Sequence, residues 1–268
     1  MAGEIKPIGL LNGKSGTAKF NLTLHPPAEH LAYFVEHYWI VQWDLRGEEP
    51  FFSENLPHPS VHLVFEKNNT RIVGVVTGKF GYLLEDRGAV FGIKFRPGAF
   101  YPFARIPVSR ITDKSAKLEQ FFEADGQELE NKILSQPSPE LMVKLAESFL
   151  SEKVPERDPA VELIGRIHQT IISDRELKRV EAVAARFQMT LRSLQRLFNQ
   201  YVGVSPKWVI QRYRLHEIAE RMAEEENLNW SELAAELGYH DQTHLIKAFK
   251  SIIGMAPEQY FQRKRQMT

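Results

Sequence analysis

Near its C-terminus the chain reads His240-Asp241-Gln242-Thr243-His244, two imidazoles four residues apart with a carboxylate after the first. On a helix face that spacing is close to H-E-x-x-H, in which the histidines hold zinc and the carboxylate acts as base. Two ligands at i and i+4 share a face only when both lie inside the helix. Here Gly238-Tyr239-His240 reads as a turn, and Asp241 is placed to cap a helix that begins after it. Asp is also one methylene shorter than Glu, and no third ligand stands nearby in sequence. A second pair, His58 and His62 in LPHPSVHLVFE, would share one face of a strand. The His-x-His and downstream Glu of metal-binding barrels are absent, so turn and half-buried strand histidines are the simpler account. No metal and no cofactor is expected.

A different chemistry, hydrogen bonding to anions and base edges, fits the charge pattern better. Formal net charge is zero, but from Arg186 to His216 every charged residue is basic: Arg186, Arg192, Arg196, Lys207, Arg212 and Arg214. An acidic stretch follows, Glu217, Glu220, Glu224, Glu225, Glu226, Glu232 and Glu236 against Arg221, and basicity returns in Lys247, Lys250, Arg263, Lys264 and Arg265. Two basic blocks around an acidic one suit two anion-facing surfaces as well as plain solvated helix faces. Arg pairs bidentately with guanine, and Gln or Asn with adenine, in the major groove.

The elements that must position these side chains form an internal repeat. VAARFQMTLRSLQRLFNQYVGVSP (183–206) parallels LAAELGYHDQTHLIKAFKSIIGMAP (233–257). Ala185 matches Ala235 and Phe187 matches Leu237. One added residue in the second turn then aligns Leu194 with Leu245, Phe198 with Phe249, Gly203 with Gly254 and Pro206 with Pro257. Each copy is a short Ala-rich helix, a turn and a second helix with an apolar stripe, closed by G-x-x-P. That is a helix-turn-helix pattern, twice. A connector from about Ser205 to Ala223 would be roughly 30 Å long at 1.5 Å per residue. This is near the ~34 Å between successive major-groove faces of B-DNA, so one monomer would reach two grooves.

Burying Leu194, Leu197, Phe198 and Tyr201 leaves Leu191, Arg192, Gln195, Arg196 and Asn199 toward solvent, with Thr190 as N-cap and its free N–H groups open to a phosphate. In the second copy the same logic exposes Gln242, Thr243, Ile246, Lys247 and Lys250, with Asp241 as cap and His244 beside them.

SLQRLFNQYVGVSPKWVIQRYRLHEIAERM and WSELAAELGYHDQTHLIKAFKSIIGMAPEQYFQRKR together resemble the AraC-type transcriptional regulators, over about the last 100 residues. The resemblance implies two helix-turn-helix units on a long helix, double-stranded promoter DNA as partner, and Arg192, Gln195, Arg196, Gln242, Thr243 and Lys247 as reading positions. It also points to RNA polymerase, a small-molecule effector and a second copy of the chain as further partners. Three departures affect base preference: Gln188 stands where Gly is common, Leu245 where Phe is, and Lys247 where Arg is. LAYFVEHYWIV, LPHPSVHLVFE, FGIKFRPGAFYPF and VSRITDK resemble, more loosely, the sensor domain of one subgroup.

The expected fold is α+β: a mainly β, barrel-like N-terminal domain with flanking helices, then an all-α C-terminal domain with two helix-turn-helix units joined by a long helix. The expected boundaries are 1–152 for a sensor or oligomerisation domain, 153–159 for a polar linker, and 160–268 for the DNA-binding domain. HLAYFVEH would open as a short helix, and SAKLEQFF would begin the helical end of the first domain. Trp39, Trp43, Phe95, Arg96 and Tyr101 are candidate effector-pocket residues, and PELMVKLAESFL is a candidate dimerisation helix. The 268 residues contain no cysteine, which removes thiolate zinc sites, disulfides and cysteine nucleophiles, including a cysteine-dependent alkyl transferase. The first sixteen residues lack a signal-peptide pattern, and no apolar run reaches the roughly 20 residues of a membrane span; a cytoplasmic, non-enzymatic regulator follows. Two alternatives stay open: a metal-dependent enzyme in the N-terminal barrel, or a ligand-free protein-interaction domain fused to the DNA-binding one.

Overall fold

The computed structural model describes residues 19–174, 176–224 and 229–266. The segment read above for a secretion signal lies outside them, as do Glu225 and Glu226 of the acidic block. Among the described residues no helix is long and apolar enough to cross a membrane.

The N-terminal half is built on strands β1 (Asn21–His25), β2 (Val35–Asp44), β3 (Phe51–Asn55), β4 (His62–Glu66), β5 (Arg71–Val73), β6 (Phe80–Leu84), β7 (Arg87–Phe95) and β8 (Ser115–Lys117). A six-stranded sheet runs β1-β2-β7-β4-β5-β8, and β3 pairs with β6 in a separate ribbon; every pairing is antiparallel. Both sheets are open, so the mainly β half is not a closed barrel. On β2, Val35, Tyr38 and Ile40 are buried. They share a core with Leu63, Phe65, Phe91, Ile93 and Phe95, roofed by Ile133, Met142, Ala146 and Leu150. The roof is α2 (Gly126–Leu134) and α3 (Pro139–Ser151), which follow the short α1 (Tyr101–Ala104). Asp125 caps α2 by accepting from the Gln127 and Glu128 amides, and Ser138 caps α3 ahead of Pro139, the expected start signals.

Two local expectations give way to pairing. Residues 29–34 form consecutive turns rather than a helix, because from Val35 onward the chain is committed to the β7 ladder. Ser115–Lys117 is a strand, not a helix start, since Ile72 opposite Ala116 gives β5 a second neighbour.

The C-terminal half is helical: α4 (Pro159–Ser173), α5 (Val180–Arg186), α6 (Leu191–Leu197), a π turn Phe198–Val202, α7 (Pro206–Glu224), α8 (Trp230–Glu236), α9 (Gln242–Ile253) and α10 (Pro257–Gln266). Ile164, Ile167 and Ile171 of α4 pack with Val183, Leu194, Phe198 and Val209, and this core also takes in Val75 from the sheet-bearing half. A second core joins Leu215, Ile218, Leu233, Leu245, Phe249 and Ile253, and takes in Leu56.

Residues 154–158 have no regular structure, yet they are tied down. The Tyr33 hydroxyl donates to the Asp158 carbonyl at 2.7 Å and accepts from its amide at 3.1 Å. The Asp158 carboxylate caps α4 through the Ala160 amide (2.8 Å) and accepts from the Tyr201 hydroxyl (2.7 Å).

Candidate nucleic-acid interface

The two turns are built by one set of hydrogen bonds. In the first, the amides of Phe187, Gln188 and Met189 donate to the carbonyls of Val183, Ala185 and Ala184; in the second, those of Leu237, Gly238 and Tyr239 donate to Leu233, Ala235 and Ala234. The pivot residue is left-handed in both, with φ +52° at Gln188 and +71° at Gly238. The small alanines and the pivot let each helix pair pack closely.

Each following helix is capped by a side chain. Thr190 Oγ1 accepts from the Ser193 amide at 3.1 Å, and Asp241 Oδ1 from the His244 amide at 2.7 Å. That amide bond, followed by the His240 ring, holds the Asp241 carboxyl below its ordinary range. His240 precedes α9 and His244 lies in its first turn, its ring edge-on to Tyr239 at 5.4 Å between centroids. The two imidazoles therefore do not form a shared ligand face. Among the described residues no group of three His, Cys, Asp or Glu is arranged to hold a metal ion.

On α6 and the π turn, Thr190, Arg192, Gln195, Arg196 and Asn199 are exposed, as are Asp241, Thr243, His244, Lys247 and Lys250 at and along α9. Gln242 is half-buried and its Oε1 accepts from Ser231 Oγ at 3.2 Å. Asn199 is engaged as well, accepting from Ser109 Oγ at 3.1 Å. The connector α7 has 19 residues, about 28 Å at 1.5 Å per residue.

The basic block is not uniformly outward-facing. Arg186, Arg192, Arg196 and Lys207 are exposed, but Arg212 is fully buried and Arg214 partly so. Arg212 Nη2 donates to the Thr77 carbonyl at 2.5 Å and the Gly78 carbonyl at 3.3 Å, and its guanidinium lies over the Trp208 ring at 4.4 Å. Burial pulls its pKa down to about 10, so it remains a cation, spent on joining α7 to the sheet-bearing half.

The candidate effector residues do not converge. Trp39 and Trp43 stand opposite Gly92 and Gly88 in the β2–β7 register, and their rings cover those glycines, where a Cβ would come within 2.0 and 2.2 Å of them. Trp39 donates to His62 Nδ1 at 3.0 Å and Trp43 to the Glu85 carbonyl at 3.0 Å. Phe95 is wholly buried against Phe100 and Phe103. Tyr101 accepts from Gln200 Nε2 at 2.6 Å. Arg96 lines a cleft of about 550 Å³ between the two halves, while its Nε donates to the Ala32 carbonyl at 2.7 Å.

That cleft is flanked by a polar joint that sequence reasoning missed. His168 Nε2 lies 2.6 Å and His58 Nδ1 3.3 Å from the Tyr213 hydroxyl, and the His58 and His216 rings stack at 4.6 Å. Burial pulls His168 down to about 4 and His216 to about 3. In the sheet, His37 falls to about 4 and His62 to about 3 for the same reason, with the Lys94 charge adding to both. The sequence signal was slight, Tyr213 and His216 at i, i+3 on one side of the connector helix.

Residues 183–263 match a family model described as a helix-turn-helix domain, and residues 23–117 one described as a domain of unknown function (DUF6597). Among solved structures, the chain is similar to the C-terminal domain of AraT, a response regulator from Geobacillus stearothermophilus. There the identity is 27% over 41% of this chain and 86% of that one, with a TM-score of 0.35. It is similar to a DNA-binding transcriptional dual regulator from Escherichia coli K-12 at 17% identity, over 41% and 96% of the two chains, TM-score 0.32. Similarity to ToxT from Vibrio cholerae O395 extends over 91% and 94% of the two chains, at 14% identity and TM-score 0.37. No curated protein matches.

Proposed function

Taking residues 183–263 as what they are, an AraC-type helix-turn-helix domain, we propose that the chain is a sequence-specific DNA-binding transcription regulator. In this reading residues 160–268 read double-stranded promoter DNA. Residues 1–152 act as a sensor or oligomerisation domain, joined through 153–159. The observation that carries it is the pair of side-chain-capped helices, α6 and α9, each with an exposed face of donors and cations, on one 19-residue connector. Arg192, Gln195 and Arg196 read one major groove; Thr243, Lys247 and, once released from Ser231, Gln242 read the next. Thr190, Asp241 and His244 set the helix entrances against the backbone, with Asn199 and Lys250 at the far ends. Control by an effector, a homodimer formed through α3, contact with RNA polymerase and a cytoplasmic setting complete the proposal.

A band-shift assay against the DNA upstream of the chain's own gene tests it. Arg196→Ala and Lys247→Ala are each expected to cost about 1–3 kcal/mol of specific binding, and affinity should fall steeply with salt. Binding undiminished in both variants would remove these helices as the reading surface.

A further inference from the structure

Ser231 and Gln242 stand at the entrances of α8 and α9 and tie the two helices together. Asn229 caps α8 by accepting from the Ser231 and Glu232 amides at 3.1 and 3.3 Å, which seats Ser231 in the first turn. Asp241 caps α9, so that Gln242 is its first residue. Across the turn Ser231 Oγ donates to Gln242 Oε1 at 3.2 Å. Both ends of that bond are thus anchored by a capped helix. Gln242 is half-buried, although Asp241 and Thr243 on either side of it are exposed. The first unit cannot make such a bond. In the repeat Glu181 takes the place of Ser231, and Leu191, with no hydrogen-bonding atom in its side chain, takes that of Gln242. Leu191 is 40% exposed.

A free glutamine amide reads adenine with both of its ends, the oxygen accepting from N6–H and the nitrogen donating to N7. Guanine shows the major groove N7 and O6, two acceptors and no donor. The bond from Ser231 takes one of the two acceptor sites of Gln242 Oε1 and neither of the Nε2 hydrogens. It also turns the oxygen toward α8 and leaves the nitrogen end to meet a base. Release from Ser231 is therefore required to read adenine, whereas Nε2 donates to guanine with the bond still made.

We propose that Ser231 is a positioning residue that sets the base preference of Gln242, favouring guanine over adenine at the one base pair Gln242 meets. This rests on the regulator reading, in which α9 enters a major groove. The part of the operator read by α6, where Leu191 holds the equivalent place, is outside the reach of Ser231 and serves as an internal control.

Selection of bound sequences from a randomised duplex library tests the proposal, with the full chain, Ser231→Ala, Ser231→Thr, Gln242→Ala and the double variant Ser231→Ala with Gln242→Ala run in parallel. Gln242→Ala marks the position concerned, as the one whose preference it flattens. There the native chain should prefer guanine. Ser231→Ala should move the guanine-to-adenine ratio roughly fivefold toward adenine, the strength of one ordinary hydrogen bond. Ser231→Thr keeps the hydroxyl and should hold the native ratio. In the double variant the loss of the serine should change nothing further, and the half of the operator read by α6 should be the same for every chain. A serine with a purely structural role would instead weaken binding to all sequences alike. Ser231 is exposed, and thermal melts identify any variant that has not folded; Ser231→Val, with the shape of threonine and no hydroxyl, then replaces Ser231→Ala. Adenine preferred by the native chain, a base spectrum indifferent to Ser231→Ala, or no position dependent on Gln242 would each overturn the proposal and leave the regulator reading standing. A library with no enriched sequence at all would sink both.

Discussion

The first helix-turn-helix unit leaves its recognition helix through a π turn in which Gly203 N–H reaches back to the Phe198 carbonyl. Side chains of the sheet-bearing half grip that turn: Ser109 on Asn199, Tyr101 on Gln200, and Thr112 on the Gly203 carbonyl at 2.7 Å. The second unit runs as a regular helix to Ile253 and stops at Gly254, left-handed at φ +83°. Its bond to the other half is of a different kind, the Leu56 side chain sunk into its core. Hydrogen bonds fix direction, whereas apolar burial fixes proximity and tolerates rotation. Among the described residues the two copies thus differ in how the sheet-bearing half holds them: the first by hydrogen bonds to its π turn, the second by a leucine buried in its core. The π turn marks where the grip is applied, as such turns do at functional positions.

Acid should break this arrangement most severely. His37, His62, His168 and His216 are held neutral in the fold, with pKa values of about 4, 3, 4 and 3 against an ordinary 6.5. Below pH 6.5 the unfolded chain takes up protons that the folded chain refuses until about pH 4. Their contribution is therefore fully present above 6.5 and is lost as pH falls toward 4 and 3. Each ring is worth on the order of 3–5 kcal/mol over that window, so the summed loss exceeds that of any single truncation. Urea midpoints at pH 7.5, 6 and 5 should fall in sequence. A midpoint unchanged at pH 5 would mean that burial does not hold these four rings neutral.

Next in size is the plug. Leu56 is 1% exposed, and Leu56→Ala should cost about 2–5 kcal/mol. Hydrogen exchange should localise the loss, with protection along 245–253 falling well before that along 194–202. Equal loss in both helices would erase the distinction between gripped and plugged units.

Much of the exposed face of α6 and α9 was legible because it is local. Thr190 and Asp241 as caps and the G-x-x-P stops act within four residues of themselves, and the repeat lets one copy check the other. What stayed hidden depends on chain segments far apart in sequence. Arg212 looks like one more cation on a helix until the Thr77 carbonyl, 135 positions away, closes on it. His58 reads as a turn histidine until Tyr213, 155 positions away, comes within 3.3 Å. Trp39 and Trp43 suggested a pocket because aromatic side chains do; only the β2–β7 register reveals that glycines lie beneath them. Composition gave no hint of Leu56, an ordinary leucine in a loop, serving the core of a unit that begins far downstream.

The smallest expected effect concerns the pivots and sets one unit directly against the other. Gln188 and Gly238 occupy equivalent left-handed positions, but only glycine enters that region without Cβ crowding. Gly238→Ala should therefore cost about 1–2 kcal/mol, somewhat softened because the nearest obstruction is the flexible Lys178 chain, 2.8 Å from a built Cβ. Gln188→Gly relieves the same crowding but gives the unfolded chain more freedom, and these terms nearly cancel. A gain of at most about 0.5 kcal/mol is expected, within the usual range for a surface change. Paired thermal melts of the two variants check this. A large gain from Gln188→Gly would mean that the first turn is strained by the grip on its recognition helix, whereas a negligible change would place that grip wholly in the π turn downstream.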